Sequence, residues 1–260
     1  MTSKTFAVSL AVVSLFPQMS SAQQAPWYEP EAATGDPLVS LNRLGVGFEH
    51  AEADGHREKL FFSASMLLGA KTGRNDWSLG VELPFLMNDP AGGGSDEGVG
   101  DFKLRLTHSW LEDQGWLVAS YLESEFDTAA TDVQAIANQR NQLALGSGFI
   151  RNFGNGWAVG AALQYGWSLD AGTSTGSKSE WECRTGLRKT FCDVLSATVI
   201  YKGIINVCGE DQYNSTIEPS LSWNFGGIGL EKLNCYVACE IPLENNREDY
   251  TAKTGFSWVF

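Results

Sequence analysis

Trp77-Ser78-Leu79-Gly80-Val81-Glu82-Leu83-Pro84-Phe85-Leu86-Met87 is the stretch that decides the fold. Its odd positions are apolar without a break, while the even ones carry Ser78, Gly80, Glu82, Pro84 and Leu86. Successive side chains of an extended chain point to opposite sides, so this alternation builds a strand with one wholly greasy face. Soluble strands usually run about five or six residues. A tilted strand crossing hydrocarbon needs roughly nine to eleven, and that is the length this stretch reaches.

The same period recurs on both sides of it. Phe102, Leu104, Leu106, His108 and Trp110 oppose Lys103, Arg105, Thr107 and Ser109. Trp157, Val159, Ala161, Leu163, Tyr165 and Trp167 oppose a small and polar column, and the last strand sets Phe256, Trp258 and Phe260 against Lys253, Gly255 and Ser257. Ile217, Pro219, Leu221, Trp223 and Phe225 oppose Thr216, Glu218, Ser220, Ser222 and Asn224, and less regular strands are expected near 42–49, 57–70, 115–126, 140–152, 179–190, 193–205 and 230–241, for a total of twelve. Short turns (71–76, 112–115, 153–156, 191–193 and 226–229) alternate with longer polar links (49–56, 88–100, 127–139, 170–178, 206–214 and 244–249). Asn155-Gly156 is the strongest hairpin signal among the short turns.

An even number of long strands, with short turns on one rim and longer loops on the other, predicts an all-β, twelve-stranded antiparallel transmembrane barrel with periplasmic turns and extracellular loops. A secreted β-sandwich shows similar alternation, but its strands are shorter. Charge is nearly absent from the greasy columns, where Lys or Arg at mid-bilayer costs about 2–4 kcal/mol. Lys189 and His108 are the exceptions, and Lys189 lies beside a turn. The order expected is a cleaved leader over 1–22, with Lys4 before an apolar stretch and Ser20-Ser21-Ala22 at its end. A periplasmic N-terminal segment or lumen plug over 23–38 follows, then the barrel over 39–260. The location implied is the bacterial outer membrane.

Composition narrows the function. The 260 residues include 28 Gly, 9 Trp, 14 Phe and 7 Tyr, and no run approaches the length of an apolar spanning helix. With 18 Lys+Arg against 31 Asp+Glu, the net charge of −13 excludes the basic footprint that nucleic acid requires. The five Cys form no metal-ligand spacing, and Cys235 and Cys239 have no His partner nearby. A disulfide is compatible with export, with Cys208 one candidate for it. No cofactor is expected.

The charges expected inside the barrel are Arg43, Glu82, Lys103, Arg105, Glu182, Arg184, Arg188, Lys202, Glu218 and Lys232, joined by Glu240 and Lys253. Such a set either lines an aqueous path or pairs into a closed plug. Only His50, His56 and His108 are available as general bases near neutral pH. Outer-membrane lipases and deacylases resemble one another in placing His and Ser two residues apart on one face, whereas His108 and Ser109 are adjacent and face oppositely. His50 and His56, among the acids of 49–56, suit a dyad or a metal site, and a solvated acidic loop is the plainer reading. Asp89, Asp96, Glu97 and Asp101 suit either solvated charge or a divalent cation bridging to lipopolysaccharide.

Two resemblances add to this. The end Phe256-Ser257-Trp258-Val259-Phe260 is similar to the terminal signal read by the barrel-assembly machinery, which makes Phe256, Trp258 and Phe260 its assembly residues. Glu82-Leu83-Pro84-Phe85, the glycines Gly92-Gly93-Gly94 and the motif Gly98-Val99-Gly100-Asp101 together resemble the family named for the MetA pathway of phenol degradation, over about Leu79 to Phe126. That resemblance implies a barrel transporter. The family commonly carries a Pro-Thr-Gly-like turn after the next strand, where this chain has Ser124-Glu125-Phe126. The function expected is passive passage of small solutes, aromatic or hydrophobic ones by the resemblance. A structural or adhesive barrel and a barrel hydrolase are the alternatives.

Overall fold

A computed structural model describes residues 42–53, 55–90, 95–130, 141–169, 179–192, 194–207, 213–225, 230–243 and 250–260. Within them the chain forms β1 (Arg43–Ala53), β2 (Gly55–Leu67), β3 (Asp76–Pro90), β4 (Asp96–Val99), β5 (Phe102–Asp113), β6 (Trp116–Phe126) and β7 (Gln142–Gly154). The second half adds β8 (Trp157–Ser168), β9 (Glu180–Cys192), β10 (Leu195–Asn206), β11 (Tyr213–Phe225), β12 (Leu230–Pro242) and β13 (Tyr250–Val259). Neighbouring strands pair antiparallel in the order β3-β2-β1-β13-β12-β11-β10-β9-β8-β7-β6-β5-β3, which closes on itself. The wall therefore has twelve strands, and β4 is a short extra strand folded onto the outer end of β3.

Closure is what an apolar solvent demands. An unpaired backbone amide in hydrocarbon costs several kcal/mol, and only a sheet without edges avoids it. The seam lies between β1 and β13, with Leu44 opposite Trp258 and Val46 opposite Phe256. Phe260 N–H donates to Asn42 O at 3.1 Å just beyond the ladder.

The alternation read from sequence divides the wall as expected. Leu145, Leu163 and Leu187 are 52%, 50% and 50% exposed on the outer side, although they sit at mid-strand. Arg43, Glu218 and Lys253 are 2%, 4% and 5% exposed on the inner one. A soluble protein inverts that distribution. Aromatic rings gather near the short turns: Trp77 stacks on His108 at 4.2 Å and His108 meets Trp110 at 4.1 Å. Lys189 escapes the hydrocarbon there, since its Nζ donates to Asn155 O at 2.6 Å and lies 4.9 Å from the Trp157 ring. Asn155 and Gly156 have φ of 49° and 75°, as a two-residue turn matching the strand twist requires. Gln114 and Gly115 repeat this geometry, with φ of 49° and 79°.

Two loop assignments are overturned. The described residues of the link 49–56 are strand, because the β1–β2 ladder runs without interruption from Arg43 opposite Ser65 to Ala53 opposite Gly55. Within 88–100, Asp96–Val99 is strand as well. Polar residues reads as loop in a sequence, yet backbone hydrogen bonds are indifferent to side-chain polarity once the ribbon rises above the bilayer. The leader and N-terminal segment expected over 1–38 lie outside the described residues. Cys183, Cys192, Cys235 and Cys239 are free thiols, and Cys208 is outside the described residues.

Three inward rings reach over glycines of the adjoining strand. Phe61 covers Gly47, Tyr121 covers Gly146 and Tyr236 covers Gly255, each pair directly opposite in register. A Cβ at Gly146 would sit 2.2 Å from the Tyr121 ring. Changing Gly146 to Val should therefore lift Tyr121 off the wall and cost about 1–3 kcal/mol, the usual effect of overpacking. Urea titration of the folded barrel in lipid vesicles, followed by Trp fluorescence, should show the lowered midpoint, and a Gly146→Ala variant should fall between the two.

Candidate functional site: the barrel interior

Each inner side chain is placed by strand parity. On β5, Lys103 and Arg105 alternate with Leu104 and Leu106, and on β6, Glu123 and Glu125 alternate with Leu122 and Phe126. Register then sets Lys103 opposite Glu125 and Arg105 opposite Glu123. Lys103 Nζ is 3.7 Å from Glu125, and Arg105 Nε donates to Glu123 Oε2 at 2.7 Å with a second bond from Nη2. Lys59 joins Glu82 at 3.3 Å and Glu49 at 3.9 Å. Across the barrel, Lys253 Nζ donates to Glu218 at 2.7 Å and to Glu240, and Arg184 pairs with Glu182 on its own strand.

These pairs run along the wall. Lys103 to Glu125, Arg105 to Glu123, Lys59 to Glu49, Lys59 to Glu82 and Lys253 to Glu240 each join adjacent strands. Longer reaches pass over small residues: Tyr121 O–H crosses Gly146 to Gln164 Oε1 at 2.7 Å, and Gln142 Nε2 crosses Gly166 to Glu180 Oε1 at 3.0 Å. A buried charge without a partner costs several kcal/mol, so acids and bases on neighbouring strands satisfy one another where they stand. Beside this polar wall, Leu117, Ala119, Tyr121, Ile150 and Ala158 form a buried apolar patch on β6, β7 and β8.

Among the residues expected inside, Arg43, Glu82, Glu182, Arg188 and Glu218 are buried, and Lys103, Arg105, Arg184 and Lys202 are half-buried on the inner side. Glu82, Lys103 and Arg105 come together on β3 and β5. Lys202 stands opposite Arg184, while Glu218 stands with Lys253 on the far side. Lys232 lies on β12, and its side chain is outside those described. The sequence reading missed Glu49, Lys59, Glu123 and Glu125. Glu123 and Glu125 were legible, since they share parity with Ala119 and Tyr121 in Trp116–Phe126. Phe256, Trp258 and Phe260 are exposed on the outer face at the closing seam.

Asp101 is not a solvated loop acid. It is 4% exposed, and its Oδ1 accepts the amides of Thr128 and Ala129 at 3.1 Å each. Thr128 Oγ1 accepts from Phe102 N–H at 2.9 Å, Gly100 N–H donates to Pro84 O at 2.9 Å, and Ala130 N–H donates to Val99 O at 2.9 Å. Gly100 admits no side chain, because a Cβ would meet Leu86 Cδ1 at 2.9 Å. The motif Gly98-Val99-Gly100-Asp101 thus ties β4, β5 and the chain after β6 into one clasp at the outer mouth. Replacing Asp101 by Ala removes both acceptors. Amide exchange at Thr128 and Ala129 should accelerate at least tenfold, about 1.4 kcal/mol of lost protection, with exchange on β8 and β9 unchanged.

The family described as MetA-pathway of phenol degradation matches residues 52–258. Among solved structures, an outer-membrane channel from Pseudomonas putida F1 superposes with a TM-score of 0.72 at 15% identity, covering 85% of this chain and 96% of that one. The NanC porin gives 0.58 at 9% identity, over 84% and 98%. The β domain of the Bordetella autotransporter BrkA gives 0.53 at 12% identity, over 85% and 100%. No curated protein sequence matches the chain.

Proposed function

Because the chain belongs to the family of the MetA-pathway of phenol degradation, we propose that this outer-membrane barrel is a channel for passive passage of small solutes. One observation carries the reading. The inner charges pair with neighbours along the wall, as in Arg105 with Glu123 and Lys59 with Glu82, and three inner rings reach over glycines of the adjoining strands. A plug would instead need side chains that reach across the axis. Wall pairing favours the aqueous path of the two outcomes that a mixed-charge lumen allows.

The residues proposed to line that path are Arg43, Glu82, Lys103, Arg105, Glu182, Arg184, Arg188, Lys202, Glu218 and Lys232. Aromatic or otherwise hydrophobic compounds are the solute class suggested by the family description. The reading assigns no catalytic step to any residue. It includes delivery by the barrel-assembly machinery through Phe256, Trp258 and Phe260, and lipopolysaccharide as the outer-leaflet neighbour.

Purified, refolded protein in planar bilayers should give discrete conductance steps in KCl. Changing Glu123 and Glu125 together to Gln takes from Lys103 and Arg105 their partners on β6, and the reversal potential in a salt gradient should move toward anion selectivity. A barrel that folds, as judged by its shifted migration before boiling, yet carries no current and passes no small aromatic solute into vesicles would overturn the channel.

A further inference from the structure

Above the apolar belt, the outer face of the β1–β2 ribbon changes character abruptly. Phe48 and Leu60 are the last apolar pair, and the next outward pairs in register are His50 opposite Glu58 and Glu52 opposite His56. Period two places all four side chains on one face. The result is a square of two imidazoles and two carboxylates, with His and Glu alternating around it.

The distances within the square are short. One ligand atom from each of His50, Glu52 and His56 lies within 4.8 Å of the others. The two imidazoles stack with centroids 5.7 Å apart, and Glu58 Oε1 is 3.5 Å from His50 Nδ1. Donors around a tetrahedral zinc stand about 3.3 Å apart, as bonds of roughly 2.0–2.1 Å require. Rotation of these side chains, His56 exposed and His50 and Glu52 half-exposed, on a fixed ladder covers the difference. The inward acids and bases of the same ribbon do not compete, because Glu49 and Lys59 face each other on the opposite side.

Donor chemistry selects the ion. Hard cations such as calcium and magnesium take oxygen ligands, whereas two imidazoles with one carboxylate suit a borderline dication of the zinc class. Three protein donors leave a fourth position for water. Glu58, beside His50 Nδ1, is placed to orient that ring so that Nε2 faces the metal, the arrangement in which a carboxylate fixes the tautomer of a ligating His.

We propose that His50, Glu52 and His56 form a transition-metal site of the zinc class on the extracellular ribbon, outside the lumen and independent of solute passage. The bound ion would staple β1 to β2 above the membrane, at the mouth of the barrel.

The test uses the full refolded barrel, freed of any affinity tag, in detergent micelles. Cobalt(II) titration should give d–d absorption saturating at one equivalent, zinc should displace it, and a hundredfold excess of calcium should not. Replacing His50 and His56 by Ala should weaken binding at least a hundredfold, while the variant keeps the wild-type migration shift before boiling and the wild-type conductance. Equal cobalt binding by wild type and this double variant would overturn the site, as would wild-type binding only at millimolar metal. Loss of conductance alone bears on the channel and leaves the metal titration to decide this proposal.

Discussion

Backbone amides in hydrocarbon have no water to fall back on, and that constraint organises the whole molecule. It rules out a free sheet edge, so β13 must return to β1, and the terminal Phe256, Trp258 and Phe260 stand on the strand that completes the ring. Once the ring is closed, side-chain parity has only two destinations, lipid and interior. Each strand therefore carries two chemistries at once. The outer one needs bulk and no charge, and the inner one needs polar groups able to satisfy each other without water in excess.

The interior meets its requirement through position in register more than through side-chain choice. Lys103 and Arg105 are separated by one residue on β5, Glu123 and Glu125 by one on β6, and antiparallel pairing brings them face to face. Glycine does the complementary work. Gly47, Gly146 and Gly255 let rings on the adjoining strand lie against the wall, and Gly166 lets Gln142 pass to Glu180. Long side chains in a narrow ring would otherwise converge on the axis. Glycine weakens an ordinary strand, but here both neighbours hold its backbone and the ring above replaces the missing contacts.

Much of this was legible from the chain. Parity in Trp77–Met87, Trp157–Trp167 and Tyr250–Phe260 reports a bilayer because only a bilayer rewards ten or more alternate positions with one uncharged face. What was not legible shares a cause. Sequence patterns register a strand through contrast between its faces, and contrast vanishes where both faces are polar. The outer half of β1–β2 and the short β4 were accordingly expected as loops, although their ladders are continuous. Which acid Lys59 or Arg105 meets was not legible for a different reason: register between strands depends on turn geometry and shear, neither of which a single strand encodes.

The clasp built on Asp101 shows how local and global requirements meet at the mouth. A loop after a transmembrane strand lies in water, and its amides have no need of protein partners. Those of Thr128 and Ala129 nevertheless bond a buried carboxylate, while Gly100 gives way to Leu86 on the inner face of β3. Such an arrangement fixes where the chain leaves β6 relative to β3 and β5. Asp101 stabilises that exit whatever the barrel carries, because two loop amides share one buried acceptor. In the proposed channel, solute would pass this clasp before it meets the paired charges of the wall.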